Sequence, residues 1–407
     1  KPIANAVVTV VHEPSGTKDV TTSRASGQFN LSGLRVGGPY TVSVTSNGYR
    51  SEVRNGVYLE LGSAAELAFG LTSETVTMEA FKVEADQDLT FGAGKIGAGT
   101  SFGSKQITDV PSVRRNIQDV AVLDSRLFLN SLDQGGQLSA QGQNFRFNSL
   151  LIDGVQANDP FGLNSSGFSS LKSPIPLEAL ESLSMELVPY DVRRSGFTGA
   201  LINAVTKSGT NEFHGMVYGE YTDLYDRAKN PVSGAREFFR ERTYGFNIGG
   251  PIIPNRLFFF VSDDYFRRNT LAPAQLFLPD ANTVAQVVAR AKAVGYDPGT
   301  FTGAASFQIQ KSQIAKLDWQ IADSHRLILQ YRDNYGTAPV YTGFNSSSTT
   351  TSFSNYWYDA PLHTHGYTAQ LFDTWSSNFR TEFSMAHTHY NGSPNPHGPA
   401  FPEVFIR

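Results

Sequence analysis

Two closely spaced histidine pairs are the part of this sequence best suited to chemistry: His363-Thr364-His365 and His387-Thr388-His389. In an extended strand, residues i and i+2 lie on the same face, so each pair presents two imidazoles together. Clustered imidazoles bind transition metals such as zinc, nickel and copper. The pattern predicts either a metal site or, more simply, polar residues at the rim of a sheet (His363, His365, His387, His389).

Further polar and glycine residues occur together in the segment GQNFRFNSLLIDGVQANDPFGL, residues 142–163. Asp153-Gly154 follows a short apolar run and is a hairpin signal, so this pair either forms a turn or faces a ligand. Asn158-Asp159 has the same two interpretations, because its spacing does not fit a calcium loop. The other candidate site residues of this segment are Gly142, Asn144, Arg146 and Asn148.

Composition excludes several classes of function. The chain has 407 residues, a net charge of −4 and no basic stripe, which argues against a nucleic-acid partner. It has no cysteine, so a disulfide framework and a thiolate metal site are excluded. No apolar run approaches the ~18 residues of a transmembrane helix, although membrane-spanning strands would escape this criterion. Because Lys1 begins inside a strand pattern, we expect a mature or truncated fragment.

Residues 1–71 are predicted to form a small β-sandwich. A β-branched run at 6–11 is followed by short extended segments, one of them Gln28–Leu31, and by turn signals such as Asn47-Gly48. The pieces PIANAVVTV, SGQFNLSGLRVGGPYTVSVTSNGY and ELAFGL resemble the carboxypeptidase regulatory-like (transthyretin-like) domain. No histidine is followed three residues later by glutamate, so we expect a spacer or binding module without peptidase activity.

A linker at 72–97 and an α/β module at 98–210 are expected next. The β-prone linker segment TVTMEAFKV can add as an edge strand to another protein's sheet, or serve as the last strand of the sandwich. In the α/β module, Ser112 is expected to cap a helix that starts at Val113. A short helix is expected from Pro176 and a buried strand at 199–206.

From residue 211 onward the pattern becomes that of a β-barrel. Residues 315–321 and 326–332 flank a tight turn, and 367–374 and 379–385 form a second such pair. On these arms one face is apolar and the other mostly polar, as in outer-membrane barrels. At ~10 residues per strand plus loops, this part holds roughly seven or eight strands. Residues 271–308 are expected to form only an outer loop.

In this order, the modules resemble the N-terminal half of TonB-dependent outer-membrane receptors of the Oar-like branch. The resemblance rests on GQNFRFNSLLIDGVQANDPFGLN, PYDVRRSGFTGALINAVTKSGTNEFHG and YGFNIGGPIIPNRLFFFVSDDY. It implies that 98–210 is a plug, joined to the barrel near Ser208 to Glu212. Arg193 and Arg194 then either latch the plug to the wall through carboxylates or form a solvated or lumen-facing pair. The segment that looks like a TonB box comprises Thr75, Val76, Thr77, Met78, Glu79, Ala80, Phe81, Lys82 and Val83.

The resemblance implies a multi-domain fold: a transthyretin-like β-sandwich, an α/β plug domain and part of an antiparallel transmembrane β-barrel. Family barrels close with about twenty-two strands, so the rest of the barrel is expected to be missing here. The implied location is the outer membrane, with the sandwich (1–71) in the periplasm and the barrel at 211–407. The implied partners are TonB, outer-membrane lipid and an extracellular ligand. No cofactor and no catalytic residue is required.

The function implied is import of a large or scarce ligand, such as a siderophore or a glycan, with energy supplied through TonB. Two alternatives stay open at this point. One is an outer-membrane adhesion or export protein of the same architecture. The other is a soluble carbohydrate-binding or peptidase protein, against which the missing metal motif and the barrel-like half argue.

Overall fold

The computed structural model describes most of the chain, and its regular secondary structure is mostly β-strand. The described residues are 1–60, 64–73, 99–112, 115–130, 136–162, 164, 166–187, 196–226, 228–229, 231, 234, 236, 238–270, 279–300, 306–342, 351–376 and 379–399. No helix among these residues is long and apolar enough to cross a membrane.

The N-terminal module is an antiparallel sheet with the strand order β2-β1-β3-β4. Alternate side chains of the central strands are fully buried, among them Val8, Val10, Val42 and Val44. This period of two places one apolar face on a small core and leaves the other face to water. The strands are β1 (Val7–His12), β2 (Thr17–Thr22), β3 (Gly37–Thr45) and β4 (Glu52–Leu59).

The second layer of this module differs from the expected sandwich. Within the described residues, the inner face of the sheet is covered by irregular segments and not by a second sheet. Residues 28–31 were expected to be a strand but lie outside the sheets, while Phe29 and Leu31 still pack on the core. Burial of apolar side chains needs no ladder hydrogen bonds, so the pattern predicted the packing correctly and the strand wrongly.

The central module packs a mixed sheet around a large apolar core. Its strand order is β5-β10-β11-β8-β9, in which β8 and β11 pair in parallel and the other pairs are antiparallel. Strand β11 is the buried strand expected at 199–206. The elements are β5 (Gly99–Gly103), α1 (Ser104–Asp109), α2 (Ile117–Ala121), β6 (Leu127–Leu129), β7 (Leu138–Ala140), β8 (Ser149–Ile152), β9 (Val155–Gln156), β10 (Leu180–Glu186) and β11 (Leu201–Thr206).

The expected helix cap at Ser112 is wrong. Helix α2 begins at Ile117 with Asn116 at its N-cap position, and the Ser112 hydroxyl instead donates to Asp119 Oδ2 at 2.6 Å. Arg115 has a positive φ of 53°, a left-handed conformation that a right-handed helix cannot contain, so the helix begins after it. The short helix expected from Pro176 is a single 3-10 turn at Leu177–Ala179.

In the described part of the chain, seven long antiparallel strands form one continuous sheet, here called the wall. Its order is β12-β13-β14-β15-β16-β19-β20, in agreement with the seven or eight strands expected, and the sheet is open. The strands are β12 (His214–Asp223), β13 (Phe239–Ile253), β14 (Leu257–Thr270), β15 (Ser306–Ala322), β16 (His325–Thr337), β17 (Pro339–Val340), β18 (Tyr358–Asp359), β19 (Leu362–Ser376), β20 (Phe379–Asn391) and β21 (Asn395–Pro396), of which β17, β18 and β21 form a small separate sheet.

The two faces of the wall have opposite polarity. The inner face covers the central module, and its buried side chains are mostly polar: Thr243, Asn247, Ser262, Gln310, Ser312, Lys316, Asp318, Gln330, Arg332, Asn334, Thr364 and Thr368. The outer face exposes large apolar side chains: Tyr244, Phe246, Ile248, Leu317, Trp319, Ile321, Leu329 and Tyr367. A sheet that is apolar outside and polar inside is adapted to lipid on its outer face.

The connection between β14 and β15 contains more than the loop expected for 271–308. Helix α3 (Ala281–Ala293) lies within it, and β15 already begins at Ser306. The Asp280 side chain caps this helix by accepting a hydrogen bond from the Thr283 amide at 2.9 Å. The short connections 254–256 and 323–324 lie at the opposite end of the wall from this long one.

Candidate functional site

Asp153 joins the central module to the wall. It lies with Gly154 in the two-residue turn between β8 and β9, and both have positive φ (48° and 81°), as the hairpin signal predicts. Its carboxylate accepts hydrogen bonds from the amide and hydroxyl of Thr206 at 3.0 and 2.7 Å. The same carboxylate accepts a bond from Gln330 Nε2 at 2.6 Å and lies 3.5 Å from Lys316 Nζ. The turn thereby presents a charge to the wall.

The central module and the wall are also joined by neutral hydrogen bonds and by Phe260 and Ile314, two wall residues that pack into the core of the central module. Gln310 accepts from the Lys172 amide at 2.7 Å and donates to the Ser173 carbonyl at 2.8 Å. Thr364 donates to the Ser169 carbonyl at 2.8 Å. Buried polar groups need such partners, and here the inner face of the wall provides them.

The asparagines of the 142–163 segment hold the central module together internally. Asn148 donates to the Leu138 carbonyl at 2.7 Å and accepts from the Ala200 amide at 2.8 Å. Asn158 accepts from the Leu150 amide at 2.8 Å and donates to the Asn148 carbonyl at 2.7 Å. Both side chains replace missing ladder hydrogen bonds, which is a structural role.

The remaining selected residues of this segment also shape loops. Gly142 has a φ of 82°, and Asn144 accepts from the Arg146 amide at 3.0 Å. Asp159 accepts from the amides of Phe161 and Asn164 at 2.9 and 2.6 Å. Arg193, Arg194 and the TonB-box-like segment 75–83 lie outside the residues that the structure describes.

The N-terminal module meets the wall at a buried cluster of charges. Arg35 donates two hydrogen bonds to Asp318, at 2.7 and 2.9 Å, and Arg326 donates two more to the same carboxylate, at 2.9 and 2.7 Å. The Asp318 side chain is 1 % exposed and that of Arg35 is 8 % exposed. One buried anion thus holds two cations, one from each part of the chain. The Arg326 guanidinium also donates to the Gly33 carbonyl at 3.4 Å.

A cavity of about 770 Å³, lined by both polar and apolar residues, lies where the N-terminal module, the central module and the wall meet. Burial lowers the pKa of Arg35 to about 10, with Arg326 adding to the effect, and burial raises the pKa of Glu181. Burial, together with Arg35 and Arg326, lowers the pKa of His12 to about 3, so this imidazole is neutral. Charged and polar residues around the cavity include His12, Arg35, Asp153, Glu181, Lys316 and Arg326.

The wall places the histidine pairs together on its outer face. His365 lies directly opposite His389, and their ring centroids are 5.0 Å apart. Asp333 of β16 lies directly opposite His365, and its Oδ1 is 2.8 Å from His363 Nε2. His387 lies opposite Tyr367, two positions further along the strand on the same face. The cluster therefore contains an aspartate that the histidine spacing did not reveal.

Sequence reasoning missed Arg35, Lys316, Asp318, Arg326 and Asp333 as partners. The available signal for two of them is their spacing: Lys316 and Asp318 are charged residues at i and i+2 on a strand whose alternate positions are apolar. Such charges must find partners on the buried face. The identity of the partners depends on contacts across as many as 283 positions, which no local pattern contains.

Comparison with protein families agrees with this architecture. Residues 1–72 match the carboxypeptidase regulatory-like domain, and residues 205–307 match an outer membrane beta barrel domain. The TonB-dependent transporter Oar of Myxococcus xanthus is 25% identical over 280 residues, which is 64% of this chain and 25% of that protein. The "Probable TonB-dependent siderophore receptor PirA" of Acinetobacter baumannii is 26% identical over 216 residues, covering 49% of this chain and 26% of its own.

Solved structures share the fold. The outer membrane transporter YddB from Escherichia coli superposes with a TM-score of 0.53 at 14% identity, covering 72% of this chain and 39% of that one. The ferric enterobactin receptor PfeA from Pseudomonas aeruginosa gives a TM-score of 0.50 at 13% identity, covering 73% and 41%.

The wall and these matches together define an outer-membrane β-barrel protein that carries a carboxypeptidase regulatory-like domain. More specifically, the chain is homologous to TonB-dependent transporters of the Oar type. It spans about a quarter of the length of the curated relatives it matches, and those relatives are named as transporters and receptors. Its outer-membrane location contradicts the soluble alternative.

Proposed function

We propose that this chain acts in TonB-dependent import across the outer membrane, with the central module as a plug inside the barrel. The observation that carries the proposal is the inverted polarity of the wall, whose polar inner face is filled by the central module. An empty polar lumen would be a pore. A lumen filled by a folded module has to be opened by a change of that module, which requires energy.

The contacts between plug and wall are suited to release. They include neutral hydrogen bonds around Gln310 and Thr364 and the polar junction at Asp153, beside apolar contacts of two wall side chains with the core of the central module (Phe260, Ile314). Water can replace each of the neutral bonds at a net cost of about 1 kcal/mol, and each bond to the Asp153 carboxylate at about 1.5–3 kcal/mol. A plug packed through an apolar interface would resist hydration far more strongly.

The open sheet supports the view that the wall is part of a larger barrel. Strands β12 and β20 are its two edges, and β20 is exposed along almost its whole length. Unpaired backbone groups at a lipid-exposed edge are too costly to persist, because lipid supplies no hydrogen bonds. We infer that further strands pair with these edges and close the barrel.

We propose that the segment 75–83 binds TonB and thereby couples the receptor to its energy source. It lies in sequence between the N-terminal module and the plug, and its alternating β-prone residues suit addition to a sheet edge of TonB. The N-terminal module then lies in the periplasm. The contact of Arg35 with Asp318, near the tight turn at 323–324, supports this orientation.

The ligand class proposed is a siderophore or a comparably large, scarce molecule such as a glycan. Two relatives favour testing ferric siderophores first, because one is named as a siderophore receptor and another as a receptor of ferric enterobactin. The cavity at the junction of the three parts is of the size of a small-ligand site.

A binding experiment tests the coupling without knowledge of the ligand. The full receptor, reconstituted in detergent, is titrated with the periplasmic C-terminal domain of TonB. Val76→Pro removes a backbone donor from the pairing segment and is expected to abolish binding. Gln87→Pro, in the same linker but outside the segment, is the matched control and is expected to bind normally. Equal binding by all three proteins contradicts the proposal.

An uptake experiment tests transport itself. Cells that lack their own ferric siderophore receptors and express the full receptor are given radiolabelled ferric enterobactin. Uptake is expected with the unchanged receptor and is expected to disappear with Val76→Pro or in cells without TonB. Uptake that persists without TonB would contradict energy coupling.

A further inference from the structure

The outer face of the wall carries a group of side chains that the import function does not use. Among the described residues, Asp333, His363 and His365 offer one ligand atom each, and these atoms all lie within 4.8 Å of one another. We propose that they form a binding site for a first-row transition-metal ion of the zinc, copper or nickel class. The site belongs to the wall and is separate from the cavity where the three parts of the chain meet.

The three side chains are brought together by strand pairing. Asp333 lies opposite His365 across β16 and β19, and His363 is two residues from His365 on the same face. Their backbones are held by continuous ladders, so the spacing of the three Cα atoms is fixed. Thr364, between the two histidines, points inward and donates to the Ser169 carbonyl at 2.8 Å. The plug side of the wall therefore fixes the strand that presents both imidazoles outward.

The distances fit a site that closes around an ion. His363 Nε2 and Asp333 Oδ1 are already 2.8 Å apart, and the rings of His363 and His365 are 5.4 Å apart. Zinc–ligand bonds of about 2.0–2.2 Å require the three donor atoms to lie roughly 3–4 Å apart. The three ligand atoms already lie within 4.8 Å of one another, and the partly exposed His365 ring has room to rotate toward the other two ligands. The centroid of the His389 ring lies 5.0 Å from that of His365, so the two rings pack against each other and His389 restricts the orientations open to the His365 ring.

The donor set decides the class of ion. Two imidazoles with one carboxylate suit zinc, copper or nickel, whereas magnesium and calcium prefer oxygen ligands alone. Three protein ligands leave a fourth position to water. Tyr331 donates to Asp333 Oδ1 at 3.4 Å, which helps to orient the carboxylate. An ion here would connect β16 to β19 on the side opposite to the plug contact.

Isothermal titration of the full, untagged receptor in detergent with zinc chloride, and separately with nickel chloride, tests the proposal. One equivalent is expected to bind. Asp333→Asn keeps a hydrogen-bond acceptor for His363 but removes the anionic ligand. Its affinity is expected to fall by at least about tenfold, the loss typical for removing even a residue that supports a metal ligand. His365→Ala is expected to show a loss of the same size or larger.

His387→Ala is the matched control, because His387 is an exposed outer-face histidine on β20 that lies outside the cluster. Its affinity is expected to change by less than about twofold. The proposal is overturned if the unchanged receptor binds no tighter than a variant lacking all three ligands. It is also overturned if His387→Ala loses as much affinity as His365→Ala. Heat-modifiable migration on gels verifies that each variant is folded.

Discussion

The N-terminal sheet and the wall follow the same period of two, yet they bury opposite kinds of side chain. In the N-terminal sheet most of the buried positions on the central strands are apolar, as at Val8 and Val42. In the wall many of the buried positions are polar, as at Lys316 and Gln330, while Leu317 and Leu329 are exposed. The difference shows that alternation defines a strand but not its environment. Water surrounds the first sheet, whereas the second separates lipid from a polar interior.

The N-terminal module and the wall meet at Asp318, and a substitution there is expected to have the largest effect on stability. Replacing Asp318 by Asn leaves Arg35 and Arg326 buried without their counter-charge, and this type of loss costs about 3–5 kcal/mol. Urea-dependent unfolding of the full protein in detergent is the measurement. Asp263→Asn is the control, because Asp263 lies on the outer face with Gln313 Nε2 at 2.6 Å. Equal losses from both variants would show that the buried cluster does not hold the junction.

The outer face of the wall gives the next largest effect. Leu329 is 43% exposed on this face, in a row of apolar side chains. Leu329→Arg is expected to destabilise the protein in lipid by about 2–4 kcal/mol, because a charge would have to enter the hydrocarbon region. Folding equilibria in phospholipid vesicles measure this cost. A neutral result would mean that water, not lipid, covers the outer face.

The stability of the N-terminal module is expected to depend on pH through its buried histidine, His12, with a smaller effect per pH unit. Burial, with Arg35 and Arg326, lowers the pKa of His12 to about 3 from an unfolded value of 6.5. The His12 imidazole of the unfolded chain therefore binds a proton below about pH 6.5, whereas in the folded module it stays neutral down to about pH 3. Stability is unaffected above this window and falls within it by at most about 1.4 kcal/mol per pH unit.

His12→Asn tests this contribution, since the amide can replace the imidazole nitrogen that lies 2.7 Å from Ser15 Oγ. Subtracting the variant's stability from that of the unchanged protein at each pH isolates the histidine. The difference is expected to grow as the pH falls from 6.5. A difference that stays constant between pH 6.5 and 4.5 would rule out a buried neutral His12.

The smallest effect is expected on the water-facing side of the N-terminal sheet. Val20 is 44% exposed there, almost the same fraction as Leu329 in the wall. Val20→Arg is nonetheless expected to change stability by less than about 0.5 kcal/mol, because a surface charge stays hydrated. The same unfolding measurement applies. A loss as large as that of Leu329→Arg would show that the two exposed faces share one environment.

Local patterns predicted much of this fold because they depend on neighbouring residues. The turn at Asp153-Gly154 requires two positive φ values, and the wall strands follow from alternation and tight turns. The cap at Ser112 and the strand at 28–31 were wrong, because the left-handed backbone at Arg115 interrupts the expected helix and residues 28–31 pack on the core without joining a sheet. The metal-binding role of the histidines, the arginine pair at 193–194 and the TonB segment stay predictions.

By itself, the sequence determined the order of the modules, the period of each strand and the polarity of its alternating positions. These features arise from backbone sterics and hydrophobic patterning, which act over a few residues. The tertiary structure alone decided which partners meet: Arg35 with Asp318, Asp153 with Gln330, and Asp333 with the histidines. The register of the paired strands determines which of these side chains come into contact. A shift of one residue would turn every side chain of a strand to the other face.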